Sequence, residues 1–483
     1  MNRIISVIFF VFLTFSFTNC SKIEDLQEDP NRATSVSPEL LLTNIEERAF
    51  NNVSLSAALA SRYLSYTNGV NSNQYYNWQR SSFDGYDDLK QVQKMVEASE
   101  NAGIEVYKIL GDFFNSYFII NITRTFGDVP YSEAILATES IYQPAYDSQK
   151  SIYLKVLNDL KSASDALALN TEQITGDVVF NGDKLKWRKL INSYYLRVLM
   201  SLSNKTEDND LNIIERFQEI VNNQSKYPLM ASNQDNAALN FYNIQGNRYP
   251  YFNDNDLQTA YFMEKNFVEK LQEFQDPRLF IFAERKPNAA DATIDDFTAY
   301  GGLKGSEDLN INTSIAVSGE ASRIAERYFF DPVNEPSILL SYWEQEFILS
   351  EAAVRSWITG DATEYYRNGI SASFDFFETE IPEDYFDNEA IALNTDDPIQ
   401  RIMQQKYISM FMNTGWQIFF EQRRTGFPDF NTDGSGILNN GQIPKRWMYP
   451  VEEATNNEEN LEDAIRRQFP QGDNVNGKMW LLN

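Results

Sequence analysis

The side chains that most often do chemistry in proteins are scarce in this sequence. Its 483 residues include one cysteine and no histidine, and 69 acidic against 41 basic residues give a formal net charge of −28. Without histidine, the Ser-His-Asp and Cys-His catalytic arrangements and the histidine-bearing zinc and iron sites are excluded. The negative charge repels phosphate backbones, so we predict no nucleic-acid partner.

Carboxylates are the remaining candidates for catalysis. A glycosidase needs two of them at a defined separation, and among 69 acidic residues some pair meets that condition in any fold. No motif singles out such a pair, so we predict no catalytic residue. A glycosidase that works with carboxylates and without histidine remains an alternative.

One acidic segment resembles a metal site. Asp429, Asn431 and Asp433, followed by Gly434, repeat the first half of a calcium-binding loop. Asn440 stands where the bidentate glutamate belongs, and a turn rich in Asp and Asn explains the segment as well. We predict neither a metal nor a cofactor.

Three loops carry side chains suited to binding a ligand. Aromatic faces pack against the C–H faces of a sugar, and Asn, Gln and Arg hydrogen-bond its hydroxyls or a peptide backbone. Because rings in loops are not explained by core packing, we expect them to be exposed. The predicted ligand-binding residues are Trp78, Tyr75 and Asn77 in the loop Asn68 to Asp88, Arg248, Tyr249 and Tyr251 in Phe241 to Asp256, and Tyr300 in Asn288 to Glu320. The alternative is that these rings anchor their own loops or contact a protein partner.

The single cysteine lies at the end of an export signal. Arg3 precedes the apolar run 4–17, which is too short to span a bilayer and ends just before Cys20. This arrangement resembles a bacterial lipoprotein signal, in which the chain is cut before the cysteine and the thiol is acylated. We expect residues 1–19 to be a signal peptide and 20–36 to be the lipidated cysteine and a polar tether. A secretory signal with an unpaired thiol is the alternative.

Helical patterns dominate the remainder of the chain. We predict helices near 40–66, 86–126, 147–168, 184–202, 211–222, 336–357, 361–377 and 398–423. Trp187, Trp343 and Trp357 fall on apolar faces and are expected in the core. Arg423 and Arg424 end a helical pattern, where they would neutralise carbonyls at the helix C-terminus.

The pair of helices around Gly360 has the character of a repeat. Asp361 and Glu364 form a capping box after the short turn, and small residues at Ala352, Ala353 and Ala362 permit close helix packing. The unit of about 35 residues has the spacing of a tetratricopeptide hairpin, which needs stacked neighbours to bury its apolar face. The fold class is therefore all-α, with tetratricopeptide-like helical hairpin repeats and an irregular, loop-rich ligand face.

Several short segments, taken in order along the chain, resemble one protein family. They are Cys20, Asp29-Pro30-Asn31, Pro38-Glu39-Leu40-Leu41, Phe126-Gly127-Asp128-Val129-Pro130-Tyr131, Tyr146-Asp147-Ser148-Gln149, Lys186-Trp187-Arg188-Lys189, Asp276-Pro277-Arg278-Leu279, Glu335-Pro336-Ser337-Ile338 and Arg423-Arg424-Thr425-Gly426-Phe427-Pro428. Together they resemble the SusD/RagB family of outer-membrane lipoproteins, in its SusD-like branch.

The resemblance implies a function that composition and periodicity do not give. It implies one SusD-like domain over residues 37–483, a lipid-anchored position in the outer membrane that faces the cell surface, and binding without turnover. The ligand would be an oligosaccharide or oligopeptide, delivered to a SusC-like TonB-dependent transporter. A tetratricopeptide-like scaffold whose loops contact only protein is the second hypothesis.

Overall fold

The computed structural model describes residues 36–483, so the predicted signal peptide and Cys20 lie outside it. The helices are α1 Pro38–Phe50, α2 Leu55–Ala60, α3 Gly85–Ala102, α4 Val106–Phe126, α5 Gln149–Leu169, α6 Lys184–Ser201, α7 Ile213–Val221, α8 Asn255–Thr259, α9 Lys265–Phe274, α10 Leu279–Phe282, α11 Leu309–Val317, α12 Arg327–Phe330, α13 Tyr342–Val354, α14 Ala362–Phe376, α15 Pro398–Ser409, α16 Gln417–Thr425, α17 Glu453–Asn456 and α18 Glu458–Gln468. The strands are β1 Leu64–Tyr66, β2 Val129–Pro130, β3 Tyr146–Asp147, β4 Ala237–Leu239, β5 Tyr261–Met263 and β6 Ser337–Leu340.

Successive helices pack as hairpins, which confirms the predicted all-α, tetratricopeptide-like fold. Each of α3, α4, α5 and α6 packs on the next helix along the chain, and α13 packs on both α14 and α15. Trp187, Trp343 and Trp357 are buried, as predicted. The short strands pair two by two in antiparallel order, β1 with β5, β2 with β3 and β4 with β6.

Local capping explains the helices whose bounds the sequence predicts well. At the start of α5, Ser148 Oγ accepts from Ser151 N, and at α14 Asp361 Oδ1 accepts from Thr363 N at 2.8 Å. Each side chain supplies an acceptor that the first turn of a helix otherwise lacks.

Three predicted long helices are wrong because each one breaks. Gly103, at φ 68°, ends α3, and α4 begins three residues later. The pattern 40–66 gives α1, α2 and strand β1, while 398–423 gives α15 and α16, separated by a turn that contains Gly415 at φ 59°. A glycine adopts this left-handed backbone with little strain, so the chain turns where the apolar pattern continues.

Two further elements differ from the prediction. Residues 337–340 form β6 instead of the first turn of a helix, because Ser341 Oγ caps the helix that begins at Tyr342. The segment Asn288 to Glu320, expected to be a loop, contains α11, which Asp308 caps by accepting from Asn310 N at 2.8 Å.

Buried ion pairs hold α6, α13, α15 and α16 together. Arg197 Nε donates to Glu344 Oε1 at 2.9 Å, and Lys406 Nζ lies 2.7 Å from Glu421 Oε1. Arg424 Nη2 donates to Glu351 Oε2 at 2.7 Å. The prediction that Arg424 neutralises the carbonyls of its own helix is therefore wrong, because its partners are buried carboxylates. Removing one member of such a pair leaves the other charge buried and uncompensated.

Arg423 also differs from the prediction. Its Nη2 donates to the Arg124 carbonyl oxygen at 2.8 Å, in the last turn of α4. It therefore neutralises the C-terminus of another helix.

Glu346, on α13, gives the stability of the protein a pH dependence. Burial raises the pKa of its carboxyl to about 7, and its Oε2 accepts from Asn368 Nδ2 at 3.2 Å. The folded state therefore holds this proton more tightly than the unfolded state, so its stabilising contribution is complete below about pH 4.5 and is lost as the pH rises through about 7.

We expect Glu346→Gln to raise the free energy of unfolding by about 2 to 3 kcal/mol at pH 8, because each pKa unit corresponds to about 1.4 kcal/mol. At about pH 3.5, a unit below its ordinary pKa of 4.5, the wild-type carboxyl is largely protonated in both states, and the variant should change stability little. Urea unfolding at the two pH values measures this, and an equal difference at both would contradict the assignment.

Candidate functional site

The loop between β1 and α3 is anchored by Trp78. The ring is only 6% exposed and stacks on Trp447 at 4.8 Å between centroids, with its edges against Trp416 and Phe419. Its Nε1 donates to the Arg446 carbonyl oxygen at 3.2 Å. Trp78 therefore supports the half-buried rings of Trp416 and Trp447 and presents no free face of its own.

Tyr75 in the same loop is also buried. Its backbone oxygen accepts from Leu438 N at 3.1 Å. Gly436 packs so closely that a Cβ there would lie 2.4 Å from the Tyr75 ring. Asn77 is exposed, and its side-chain amide has no hydrogen-bond partner among residues 36–483, so it is free to contact a ligand.

The loop that follows β4 holds the next group of predicted residues. Tyr249 is buried, with its ring centroid 5.5 Å from that of Phe241. Tyr251 is half-buried, and its hydroxyl accepts from Leu55 N at 2.9 Å. Arg248 is exposed, with its guanidinium 5.0 Å from the Phe252 ring centroid.

Tyr300 is buried as well. Its ring packs against Phe280 at 5.5 Å, and its hydroxyl donates to the Ile294 carbonyl oxygen at 2.8 Å. The expectation of exposed rings is therefore wrong for Tyr75, Trp78, Tyr249 and Tyr300. The long loops lack a helical ladder, and burying large rings is what holds them in place.

A different set of side chains is exposed on the loop after β4 and at the end of α12. This aromatic patch consists of Tyr242, Ile244, Arg248, Phe330 and Val333. Tyr249 N donates to the Pro332 oxygen at 2.8 Å and Asn253 N to the Phe329 oxygen at 2.7 Å, so the end of the loop at Arg248 lies beside the segment that carries Phe330 and Val333.

The sequence contains a signal for part of this patch. Tyr242 and Ile244 alternate with the exposed amides of Asn243, Gln245 and Asn247, and the turn is closed by Tyr242 N donating to the Asn247 oxygen at 2.8 Å. Phe330 and Val333 carry no such signal, because only the fold brings their segment beside the loop.

A buried carboxyl, that of Glu335, follows the segment that carries Phe330 and Val333, and its Oε2 lies 3.3 Å from Arg327 Nη2. Burial raises the pKa of Glu335 to about 7, although the nearby positive charge of Arg327 acts to lower it, and the Tyr328 hydroxyl donates to Glu335 Oε2 at 3.2 Å.

The patch offers aromatic and apolar faces, amide edges and the cation of Arg248. These groups can stack on a ring and hydrogen-bond its substituents.

The calcium-like segment uses its side chains within the protein. Asn431 Nδ2 donates to Glu264 Oε1 at 2.6 Å, and Asp433 Oδ2 lies 2.9 Å from Lys304 Nζ. Within residues 36–483, no group of three or more Cys, His, Asp or Glu is placed to hold a metal ion. None of the helices in that same range is long and apolar enough to cross a membrane.

Known proteins resemble the chain over most of its length. Residues 30–450 match a SusD-like family model, which is described as starch-binding and associating with the outer membrane. A Bacteroides vulgatus outer-membrane protein, described as involved in nutrient binding, is 38% identical with a TM-score of 0.87 over 93% of this chain and 100% of its own. A SusD homologue of Bacteroides fragilis is 39% identical, with a TM-score of 0.86. The match covers 93% of this chain and 100% of the homologue. No curated protein matches the chain.

Proposed function

The chain belongs to the SusD-like family, and on that premise we propose that it is a lipid-anchored protein of the cell surface that captures an oligosaccharide or oligopeptide and delivers it to a SusC-like TonB-dependent transporter. As a member of this family it is associated with the outer membrane and has a binding role, and it is not an enzyme. The description of the family as starch-binding favours an oligosaccharide over a peptide.

The observation that carries the proposal is the aromatic patch. Tyr242 is 54% exposed, and Ile244 on the same loop and Phe330 and Val333 on the neighbouring segment are also exposed. A soluble protein rarely exposes such a group of apolar side chains unless the surface binds something. Asn77, Arg248 and Tyr251 remain proposed ligand contacts, whereas Trp78, Tyr75, Tyr249 and Tyr300 are proposed to position the loops.

We expect Tyr242→Ala to weaken oligosaccharide binding about tenfold, because stacking on one aromatic ring contributes about 1 to 1.5 kcal/mol. The exposed ring contributes little to folding, so the unfolding transition should not move. Tyr142→Ala is the matched control, since Tyr142 is 73% exposed and lies outside the patch. Calorimetry on both variants measures the effect, and equal affinities would remove the patch from the binding site.

The anchor depends on Cys20, which lies outside the described residues. We expect Cys20→Ala to move the protein from the membrane fraction to the soluble fraction. Two acyl chains hold a protein stably on a membrane, and the variant would carry no acyl chain. Ser21→Ala is the control and should remain with the membrane. Retention of the Cys20→Ala protein in washed membranes would count against acylation.

The transporter partner rests on family membership alone. The second candidate function is a scaffold whose helical hairpins contact only protein, which the tetratricopeptide-like fold would permit. Co-purification with a barrel transporter, together with no binding to any glycan or peptide, would favour the scaffold. Binding that depends on Tyr242 would favour nutrient capture.

A further inference from the structure

A polar cavity of about 310 Å³ lies between the end of α1, the second half of α4 and the start of α16. Gly415 lines it at φ 59°, and a Cβ there would lie 2.7 Å from the Asn52 carbonyl oxygen, so the turn before α16 comes unusually close to the end of α1. The volume is at the low end of the range for small-ligand pockets and suits one small ring.

The cavity contains hydrogen-bonding groups that the protein does not satisfy. Arg197 is 6% exposed; its Nε and Nη2 bind Glu344, and Nη2 also donates to the Leu339 oxygen at 2.6 Å. No hydrogen bond from its Nη1 is found among residues 36–483, and Arg197 lines the cavity. Thr414 Oγ1 is buried without a partner. Burying such groups without a partner is costly, which points to a ligand or ordered water.

The remaining lining suits a sugar ring. Trp416 and Phe420 contribute half-buried aromatic rings, the side-chain amide of Asn51 has no partner among the described residues, and the Asn121 amide lies against the Tyr117 hydroxyl. The Tyr117 hydroxyl donates to Asn52 Oδ1 at 3.2 Å. Aromatic faces combined with amide edges match the C–H faces and hydroxyl rim of a sugar.

Charge distinguishes this cavity from the surface of an acidic protein. None of the described residues lining it is Asp or Glu. Among the described residues, five buried cations next to it are linked through hydrogen bonds and ion pairs; they are Arg124, Arg197, Lys406, Arg423 and Arg424. The buried carboxylates within that set are only three, Glu344, Glu351 and Glu421.

Arg423 has no carboxylate partner among the described residues, since its guanidinium donates to the carbonyl oxygens of Lys445 and Arg124. Burial, and after it the positive charge of Arg124, lowers the pKa of the Arg423 guanidinium to about 9. An anion placed in the cavity would relieve this excess of positive charge, because charges interact strongly where water is excluded.

We propose that the cavity binds one sugar unit that carries a carboxylate, a uronic acid, with its carboxylate accepting from Arg197 Nη1 and its ring against Trp416. The inference rests on the proposed function, because it names the class of sugar that this nutrient-binding protein takes at a second site. The cavity and the aromatic patch share no residues.

Calorimetry on the full chain, purified in detergent, tests the cavity with three probes. Galacturonate should bind at least tenfold more tightly than glucose, which lacks the carboxylate, and than acetate, which lacks the ring. Equal affinity for glucose or for acetate, or no galacturonate binding, would overturn the proposal.

A variant places the ligand without disturbing the ion pairs. Asn121→Asp puts a negative charge in the cavity at a half-buried side chain whose neighbour, the Tyr117 hydroxyl, can donate to the new carboxylate, so the fold should be retained and galacturonate binding should weaken at least tenfold. Asn310→Asp, at an exposed position on α11, adds the same charge elsewhere and should bind like wild type. Unchanged affinity in Asn121→Asp would overturn the proposal. Tyr242→Ala should leave galacturonate binding intact, so a failure of the cavity and a failure of the patch can be told apart.

Discussion

Replacing Trp78 by alanine should lower the free energy of unfolding by about 3 to 5 kcal/mol, the usual cost of truncating a buried tryptophan. The variant loses the stack on Trp447 and the hydrogen bond from Nε1 to the Arg446 oxygen. It also leaves a cavity behind Trp416, so the loop between β1 and α3 loses its main anchor. Chemical denaturation of wild type and variant measures the difference.

A second tryptophan provides the control for Trp78. Trp480 is half-buried and packs its ring near Tyr153, with centroids 6.2 Å apart, so Trp480→Ala should cost less than half as much. The contrary result is a Trp78→Ala protein that loses less than about 1 kcal/mol and yet loses its ligand. That outcome would restore the interpretation of Trp78 as a stacking platform. Because we expect a folding defect, loss of binding in Trp78→Ala alone cannot identify a ligand contact.

Replacing Asp276 by alanine should cost a similar 3 to 5 kcal/mol, roughly the cost of leaving a buried charge without its partner. Arg278 is fully buried; its Nε lies 3.0 Å from Asp276 Oδ1 and its Nη2 lies 2.6 Å from Oδ2. The same guanidinium donates to Gln405 Oε1 at 2.9 Å and to Ser373 Oγ at 2.8 Å. It therefore joins the start of α10 to α14 and α15.

The exposed pair of Asp87 and Lys90 is the control for this effect. Its atoms lie 2.9 Å apart, but both side chains are largely exposed, and such pairs contribute at most about 1 kcal/mol. Asp87→Ala should therefore leave the denaturation midpoint nearly unchanged. If Asp276→Ala behaved in the same way, the buried pair would not be a structural link between these helices.

Much of the helical fold could be predicted because its signals are local. Asp361 and its first-turn partner Thr363 are two residues apart, so the cap can be recognised in the sequence. The breaks at Gly103 and Gly415 could not be placed in this way, because apolar periodicity continues on both sides of each glycine. Strand β6 depends on its pairing with β4, a tertiary contact that no local pattern contains.

The site was harder to predict because an aromatic residue in a loop can serve two purposes. Trp78 is an anchor since the fold brings Trp416 and Trp447 against it from a distant part of the chain. Tyr242 is exposed because its neighbours in the turn are amides. The loops were identified correctly as aromatic, but which rings face solvent is decided by tertiary neighbours.

The measurement that tests the central claim most directly is calorimetric titration of the full chain with starch-derived and other oligosaccharides and with peptides, followed by mass spectrometry of the recovered ligand. We expect saturable binding of at least one oligosaccharide, weakened by Tyr242→Ala, with the ligand recovered intact. Failure to bind any oligosaccharide or peptide, or recovery of a cleaved ligand, would contradict the account of a surface protein that captures nutrients without transforming them.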